Sequence, residues 1–312
     1  MDTRPLKYFV GIVDAGSLSR AARSLHVAQP ALTLHMNRLE AELGVQLLLR
    51  DVRGATPTEA GKAVYQHAKH VLRQLAATPE VAAQAAIGPS GPVVVGLPWT
   101  VSSVIGLDLL RAVLDHLPAV RLQIVEGPSS MLGTLVTQGQ LDMAVVFDDT
   151  NHDALSLTPM LVEPLWLVGA HGTLKRRRKA TLEEACTYPL LLLRRPNGIR
   201  EILETSWLRL NVKPQVRAEI DSPSLLMQAI ASRMGFSILP SASLPGSDAK
   251  LRLDSALLQD EALARTGYIA VSRYHHPTAA AVETRHLLTA CINDAIAGGV
   301  WACRALTATS PA

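Results

Sequence analysis

Five side chains between Gln29 and Arg38 are of types that read the edges of base pairs. Gln29 and Asn37 are amides that fit an adenine edge, and Arg38 fits a guanine or a phosphate. Leu34 and the methyl of Thr33 match a thymine methyl. At about 100° per residue, Leu32, Met36, Leu39 and Leu43 form one helix stripe, while Pro30, Leu34, Asn37 and Ala41 form the opposite face. Thr33 and Arg38 flank that face. A leucine in such a place leaves two readings open, an ordinary exposed apolar residue or a helix that lies against something other than water. His35, beside the buried stripe, fits packing better than readout. Bond-breaking chemistry has no comparable signature. No GxxxxGK[ST], GxGxxG after a strand or GxSxG is present, and no Ser/His/Asp or carboxylate set stands out. The ten histidines show no HxxxH or HExxH spacing. Cys186, Cys291 and Cys303 make no CxxC pair and no Cys/His cluster, so buried reduced thiols are expected, and neither a metal nor a cofactor is.

The elements around these residues follow from periodicity. Leu6, Phe9, Val10 and Val13 give a helix over 4–15, ended by Gly16-Ser17. Leu18, Ala21, Ala22 and Leu25 give a short second helix whose small residues permit close approach. Pro30 lies in the first turn of the third helix, where its missing N–H costs nothing, and Gly44 closes it. Two short helices with a tight turn between them are a helix-turn-helix. Gln46–Leu49 and Ala55–Pro57 then read as a β-hairpin wing with Arg50 and Arg53 at its tip. Thr58 caps a long helix with the stripe Ala60, Val64, Ala68, Val71 and Leu75, which Pro79 should interrupt. So long and lightly apolar a helix suits a dimerising linker.

Charge is distributed unevenly. Residues 1–75 hold ten Lys/Arg against six Asp/Glu, and the remainder holds 20 against 21. A basic head on a neutral body suits a polyanion-binding module. "KRRRK" (175–179) lies far from that head and fits a solvated loop better than a DNA contact. No basic stretch leads into a long apolar run, and the most apolar windows fall short of the roughly 18 residues of a membrane helix. A soluble, cytoplasmic protein with no membrane partner is expected.

After the hinge-like "GPSGP" (88–92) strands and helices alternate: "PVVVGLP", a helix over Ser103–Leu117, "VRLQIVEG", a helix over Ser129–Gln138, and "LDMAVVF". This βαβαβ pattern predicts an open, mainly parallel sheet. "EPLWLVGA" crosses to a second lobe with strands "YPLLLL", "PQVRAEI", "GFSILP" and "LRLD" and helices near 199–210 and 223–233. "LARTGYIAVSR" returns, and 277–297 is a closing helix. The expectation is a clamshell with a cleft.

The head resembles the LysR-type transcriptional regulators. Gly16-Ser17, Ala21-Ala22, Leu25, Gln29-Pro30-Ala31-Leu32-Thr33, Leu39-Glu40, Leu43-Gly44, Leu47–Arg50, Arg53-Gly54 and Thr58–Gly61 match the family's pattern over about 60 residues. "QLDMAVVF" and "ASRMGFSILP" extend the likeness through the body, and the head is most similar to the nitrogen assimilation control branch. Three departures stand out: Ala28 in place of a capping serine, Leu34 in place of a polar residue, and Pro79 in a helix that is generally continuous. An alanine cap forfeits about 1 kcal/mol.

The resemblance implies an α/β multidomain chain: a winged helix-turn-helix over 1–58, a linker helix over 59–88, and a two-lobe periplasmic-binding-protein-like α/β effector domain over 91–304. Its first lobe covers about 91–163 and 268–304, its second about 164–267. It implies a homodimer or homotetramer on double-stranded promoter DNA at an interrupted inverted repeat, with RNA polymerase as a partner if the protein activates. The candidate DNA-binding set is Gln29, Pro30, Thr33, Leu34, Asn37 and Arg38 on the helix, Arg50 and Arg53 on the wing, and Arg20 with Ser17, or Ser19 in its place, at phosphates. Ion pairing is as good an account of Arg50, and helix capping of Ser17. For a small anionic effector, Thr100, Ser102 and Ser103 stand at a helix start. Ser129 and Phe147 would face the same crevice, and Arg194, Asn197 and Ser222 come from the second lobe. Regulation by abundance without an effector is the alternative. A solute-binding clamshell and an enzyme are remoter ones.

Overall fold

The computed structural model describes residues 3–51, 54–147, 153–174, 178–244, 251–274 and 276–306. It divides into two compact units, Met1–Gly88 with Gln138–Gln140, and Pro89–Thr137 with Leu141–Ala312.

In the first unit, α1 (Arg4–Ala15), α2 (Leu18–Ser24) and α3 (Gln29–Leu43) share one core. Leu6, Phe9 and Ile12 of α1 meet Ala21 and Ala22 of α2 and Leu32, Met36 and Leu39 of α3. Gly16 and Gly44 end α1 and α3 in the left-handed conformation that glycine tolerates. Ala28 caps α3 with no side-chain bond. The buried stripe of α3 stops sooner than its periodicity predicts. Leu43, the last helical residue, is 37% exposed, because it lies one turn beyond the core that covers Leu39.

The wing is β1 (Leu48–Asp51) paired antiparallel with β2 (Gly54–Pro57). Two glycines allow it to sit down on its neighbours. A Cβ on Gly54 would come within 2.3 Å of the Gly16 carbonyl oxygen, and one on Gly61 within 2.0 Å of the Leu47 carbonyl oxygen. Helix α4 (Glu59–Ile87) follows, its start bonded through the Thr58 hydroxyl to Gly61 N–H and the Gln46 carbonyl. Pro79 does not interrupt it. A proline removes one N–H from the ladder, and the backbone stays helical on both sides. Ala68 is buried in the core of α1–α3 and Val64 and Val71 pack on it, whereas Leu75 is exposed.

In the second unit, β3 (Gly91–Leu97), β4 (Val120–Glu126) and β5 (Met143–Phe147) are parallel, linked by α5 (Trp99–His116) and α6 (Ser129–Thr137). The sheet then turns antiparallel through β6 (Leu155–Ala170), which is a spine of 16 residues. Beyond it come β7 (Lys179–Ala180), α7 (Leu182–Cys186), β8 (Pro189–Leu193), α8 (Gly198–Leu210), β9 (Gln215–Ile220), α9 (Pro223–Ala231), β10 (Ser237–Pro240), a 3-10 turn (Ser241–Ser243) and β11 (Leu253–Leu258). The chain returns by β12 (Ala264–Ser272), α10 (Ala279–Ala297) and β13 (Arg304–Ala305). The first half of β6 pairs with β12 and its second half with β10 and β11. One strand therefore belongs to two lobes, each with its own apolar clusters.

Helix α5 begins four residues before the predicted start at Ser103. Pro98 caps it, its carbonyl accepting from Val101 and Ser102 N–H. The run of hydroxyl residues that reads as a cap is thus the first turn itself.

Candidate nucleic-acid interface and ligand cavity

Helix α3 presents a side that its own core does not use. Gln29, Leu34, Asn37 and Arg38 are exposed, Leu34 at 50%. Local bonds decide what each can offer. Ser19 Oγ donates to Gln29 Oε1 at 3.0 Å, which leaves the Gln29 amide N–H groups free and ties α2 to α3. The Thr33 hydroxyl donates to the Gln29 carbonyl at 3.1 Å, so its methyl is what remains for a base. Arg38 has no ion pair among the described residues. Arg20 Nε donates to the Ala15 carbonyl at 2.8 Å, and its terminal nitrogens remain. Ser17 stands at the N-cap of α2 but makes no side-chain cap bond, so capping does not account for it. His35 packs edge-on against Tyr8, with ring centroids 5.1 Å apart.

The wing holds Arg50 differently from the expectation of a tip residue. It lies within β1 opposite Ala55, and its Nη2 donates to Asn37 Oδ1 at 3.1 Å and to Glu40 Oε2 at 3.4 Å. The other Glu40 oxygen accepts from Leu47 and Leu48 N–H. Glu40 therefore joins the C-terminal half of α3 to the wing. Asn37, with its oxygen bonded to Arg50, presents only amide donors. Arg53 lies outside the described residues, as do Lys175–Arg177 of the basic run.

A cavity of about 390 Å³ opens in the second unit where the N-termini of α5, α6, α8 and α9 converge. Its deep wall is Thr100, Phe147, Ser243 and Arg265, all buried. Arg265 stands directly opposite Glu163 across β12 and β6. Its Nε and Nη2 reach Glu163 Oε2 at 2.9 and 2.8 Å, Nη2 also donates to Thr100 Oγ1 at 3.3 Å, and the guanidinium lies 3.5 Å from the Phe147 ring centroid. Glu163, 0% exposed, accepts on Oε1 from Ser241 Oγ, Ala242 N–H and the Trp301 indole N–H, all at 2.8–2.9 Å. This saturates a buried charge that would otherwise be strongly unfavourable.

Residues 3–62 match the family described as "Bacterial regulatory helix-turn-helix protein, lysR family", and residues 86–291 match the "LysR substrate binding domain". The chain belongs to the LysR family. It is a LysR-type DNA-binding transcriptional regulator with an effector-binding domain, and not an enzyme. The nitrogen assimilation regulatory protein nac of Klebsiella aerogenes is 37% identical over 78% of this chain and 79% of its own. A full-length OxyR from Pseudomonas aeruginosa has a TM-score of 0.69 at 22% identity, over 94% of this chain and 95% of that one. Full-length CbnR complexed with its target DNA has a TM-score of 0.62 at 22% identity, over 92% and 100%. Among the described residues no helix is long and apolar enough to cross a membrane.

Within this LysR-type effector domain the expected cavity residues divide. Thr100, Ser129, Phe147, Arg194 and Asn197 line the cavity. Ser102, Ser103 and Ser222 do not. Ser103 donates to the Thr100 carbonyl at 2.7 Å, a consequence of the earlier start of α5. Ser222 is occupied as the cap of α9, accepting from Leu225 N–H. Asn197 likewise caps α8 through its oxygen, which leaves its amide donors. Ser129 Oγ accepts from Phe147 N–H at 3.0 Å, which leaves its own proton to donate. Arg194 pairs at 3.7 Å with Asp221. Glu163, Arg265, Ser243 and Trp301 escaped the sequence reading. The first two had a signal: each is the one charged residue of its strand.

The thiols are set against reactivity. Burial, then the neighbouring Glu163 charge, pushes Cys303 up to about 12. Burial also raises Cys186 and Cys291. A thiol held protonated is a poor nucleophile. Near the first unit's core, burial followed by the hydrogen bond to Asp14 pushes the Tyr65 hydroxyl up to about 12, and that bond fastens α4 to α1.

Proposed function

We propose that this regulator binds an interrupted inverted repeat at promoters as a homodimer that assembles further to a tetramer, and that a small effector in the cavity biases the assembly. The observation that carries the reading is the outer side of α3. It combines amide and guanidinium donors with one half-exposed leucine and carries little charge, on a helix whose opposite side is locked into a core. Gln29, Thr33, Leu34, Asn37 and Arg38 meet base edges in the major groove, with Pro30 against the backbone. Ser17, Ser19 and Arg20 meet phosphates, and Arg53 contributes from the wing. The exposed Leu75 on α4, beyond the part packed in the core, supports pairing of two such helices. Two-fold pairing matches a two-fold operator. CbnR, similar in fold, was crystallised with its target DNA, which supports the same partner here. RNA polymerase is the further partner if the protein activates.

Footprinting on the DNA upstream of the gene tests this. Protection of two half-sites that weakens steeply with salt is the expected result. Protection of no inverted repeat, or binding indifferent to salt, overturns it.

A further inference from the structure

The cavity is polarised from end to end. At its deep end, the Ser243 hydroxyl lines the wall, is only 6% exposed as a residue, and has no hydrogen-bond partner among the described residues. Beside it is Arg265, which directs Nε and Nη2 to Glu163 and has no bond from Nη1 among the described residues. The first turn of α5 adds the N–H groups of Trp99 and Thr100, which have no partner within their own helix. Donors converge there, and a buried donor left unmet is costly. The rim is the reverse. Glu126 and Glu201 line it, are exposed, and make no ion pair among the described residues. Asp221 and Arg194, the remaining charges at the rim, are paired with each other. Glu201 is close enough to Arg195 to interact with it through space, but neither it nor Glu126 is held in a direct ion pair among the described residues, so net negative charge faces an entrance to a donor-rich interior.

A purely anionic ligand would enter against that rim, and a purely cationic one would meet Arg265. Resting on the effector reading of this cavity, we propose that its ligand is a small amino-carboxylate zwitterion. Its carboxylate lies inward on Arg265 Nη1, the Ser243 hydroxyl and the α5 amides, and its ammonium faces Glu126 and Glu201. At about 390 Å³ the cavity has the size of a site for a small molecule.

The test is calorimetry and thermal shift on the full chain with the standard L-amino acids, their amides, their N-acetyl derivatives and succinate. The expected result is that one or more free amino acids bind and raise Tm, while the matching amide and N-acetyl compounds bind at least about tenfold more weakly, the loss of one charged contact. Glu201→Gln should narrow the gap between the free and the N-acetylated compound, and Glu201→Lys should turn preference toward succinate. Ser243→Ala should weaken both compounds alike. Wild-type preference for succinate or for the N-acetyl compounds overturns the zwitterion and leaves the effector cavity standing. If no compound of any class binds while the same preparation footprints DNA, the zwitterion and the effector reading fall together.

Discussion

Leu34 is the most exposed large apolar residue of α3, at 50%, and the bonds of its neighbours bear on what it can do. Thr33 and Asn37 are partly engaged by the Gln29 carbonyl and by Arg50, so the outer side of α3 holds fewer free acceptors than its composition suggests. The partner proposed for a leucine there is a thymine methyl. Leu34→Gln should change base preference at one position of the half-site by about 1–3 kcal/mol without abolishing binding, as measured by a selection from randomised half-sites. An unchanged preference means that Leu34 touches no base. Glu163 makes the opposite kind of case, a residue whose whole value is structural. Glu163→Gln keeps an acceptor for the Ser241, Ala242 and Trp301 donors but leaves Arg265 buried without a counter-charge. The loss expected is about 3–5 kcal/mol, read by denaturant unfolding of the second unit. A loss under about 1 kcal/mol would mean that water or a second acceptor already neutralises Arg265. Such residues were only partly legible beforehand. A single Glu in "MLVEPLWLVGA" and a single Arg in "ARTGYIAVS" announce a buried pair. Ser243 announces nothing, since its placement depends on a 3-10 turn that no periodicity encodes.

At the scale of elements, the winged head depends on backbone approach more than on side chains. Gly61 lets the first turn of α4 lie against the Leu47 carbonyl, and Gly54 lets β2 accept a close Gly16, whose carbonyl takes the Ala55 N–H at 3.0 Å. Gly61→Ala should therefore destabilise the head by about 3 kcal/mol, at the upper end of overpacking costs, because the obstructing atom is backbone and cannot rotate away. Differential scanning calorimetry should show a lowered head transition with the second unit's transition unmoved. Equal lowering of both would show that the two units unfold as one. Most helices and strands were readable from period and punctuation, down to the proline at the start of α3, but the first half of β6 before Glu163, the short β7 and β13 were not. What was not readable is which of several adjacent capping residues starts a helix: Pro98, Thr100, Ser102 and Ser103 all qualify locally, and only the carbonyl of Pro98 is used. For the same reason Pro79 predicted a break that a 29-residue helix absorbs with one lost bond. The antiparallel return through β6 and β12 was also hidden, since periodicity within a strand carries no information about its direction.

For the molecule as a whole, the excess of basic residues in 1–75 is the long-range feature most directly tied to function, and it separates structural cations from DNA-facing ones. Each phosphate neutralised releases counterions and contributes about 0.9 to the slope of log affinity against log salt. Arg38 is exposed and unpaired among the described residues, and Arg20 keeps its terminal nitrogens free. Arg50 is held between Asn37 and Glu40. The Arg20→Ala variant should therefore flatten the slope by about one phosphate's worth. Arg38→Ala should do so if it meets a phosphate, and should change base preference instead if it meets a guanine. Arg50→Ala should leave the slope unchanged and weaken binding at every salt concentration by a constant factor, because it releases the wing from α3 and removes no phosphate contact. Gel shifts at several salt concentrations give all three slopes. A flattened slope for Arg50→Ala would show that the arginine exchanges Glu40 for a phosphate on binding. The Glu40 link would then be a resting contact of the free protein, broken by the DNA itself, and Asn37 would recover its oxygen for a two-point contact with adenine.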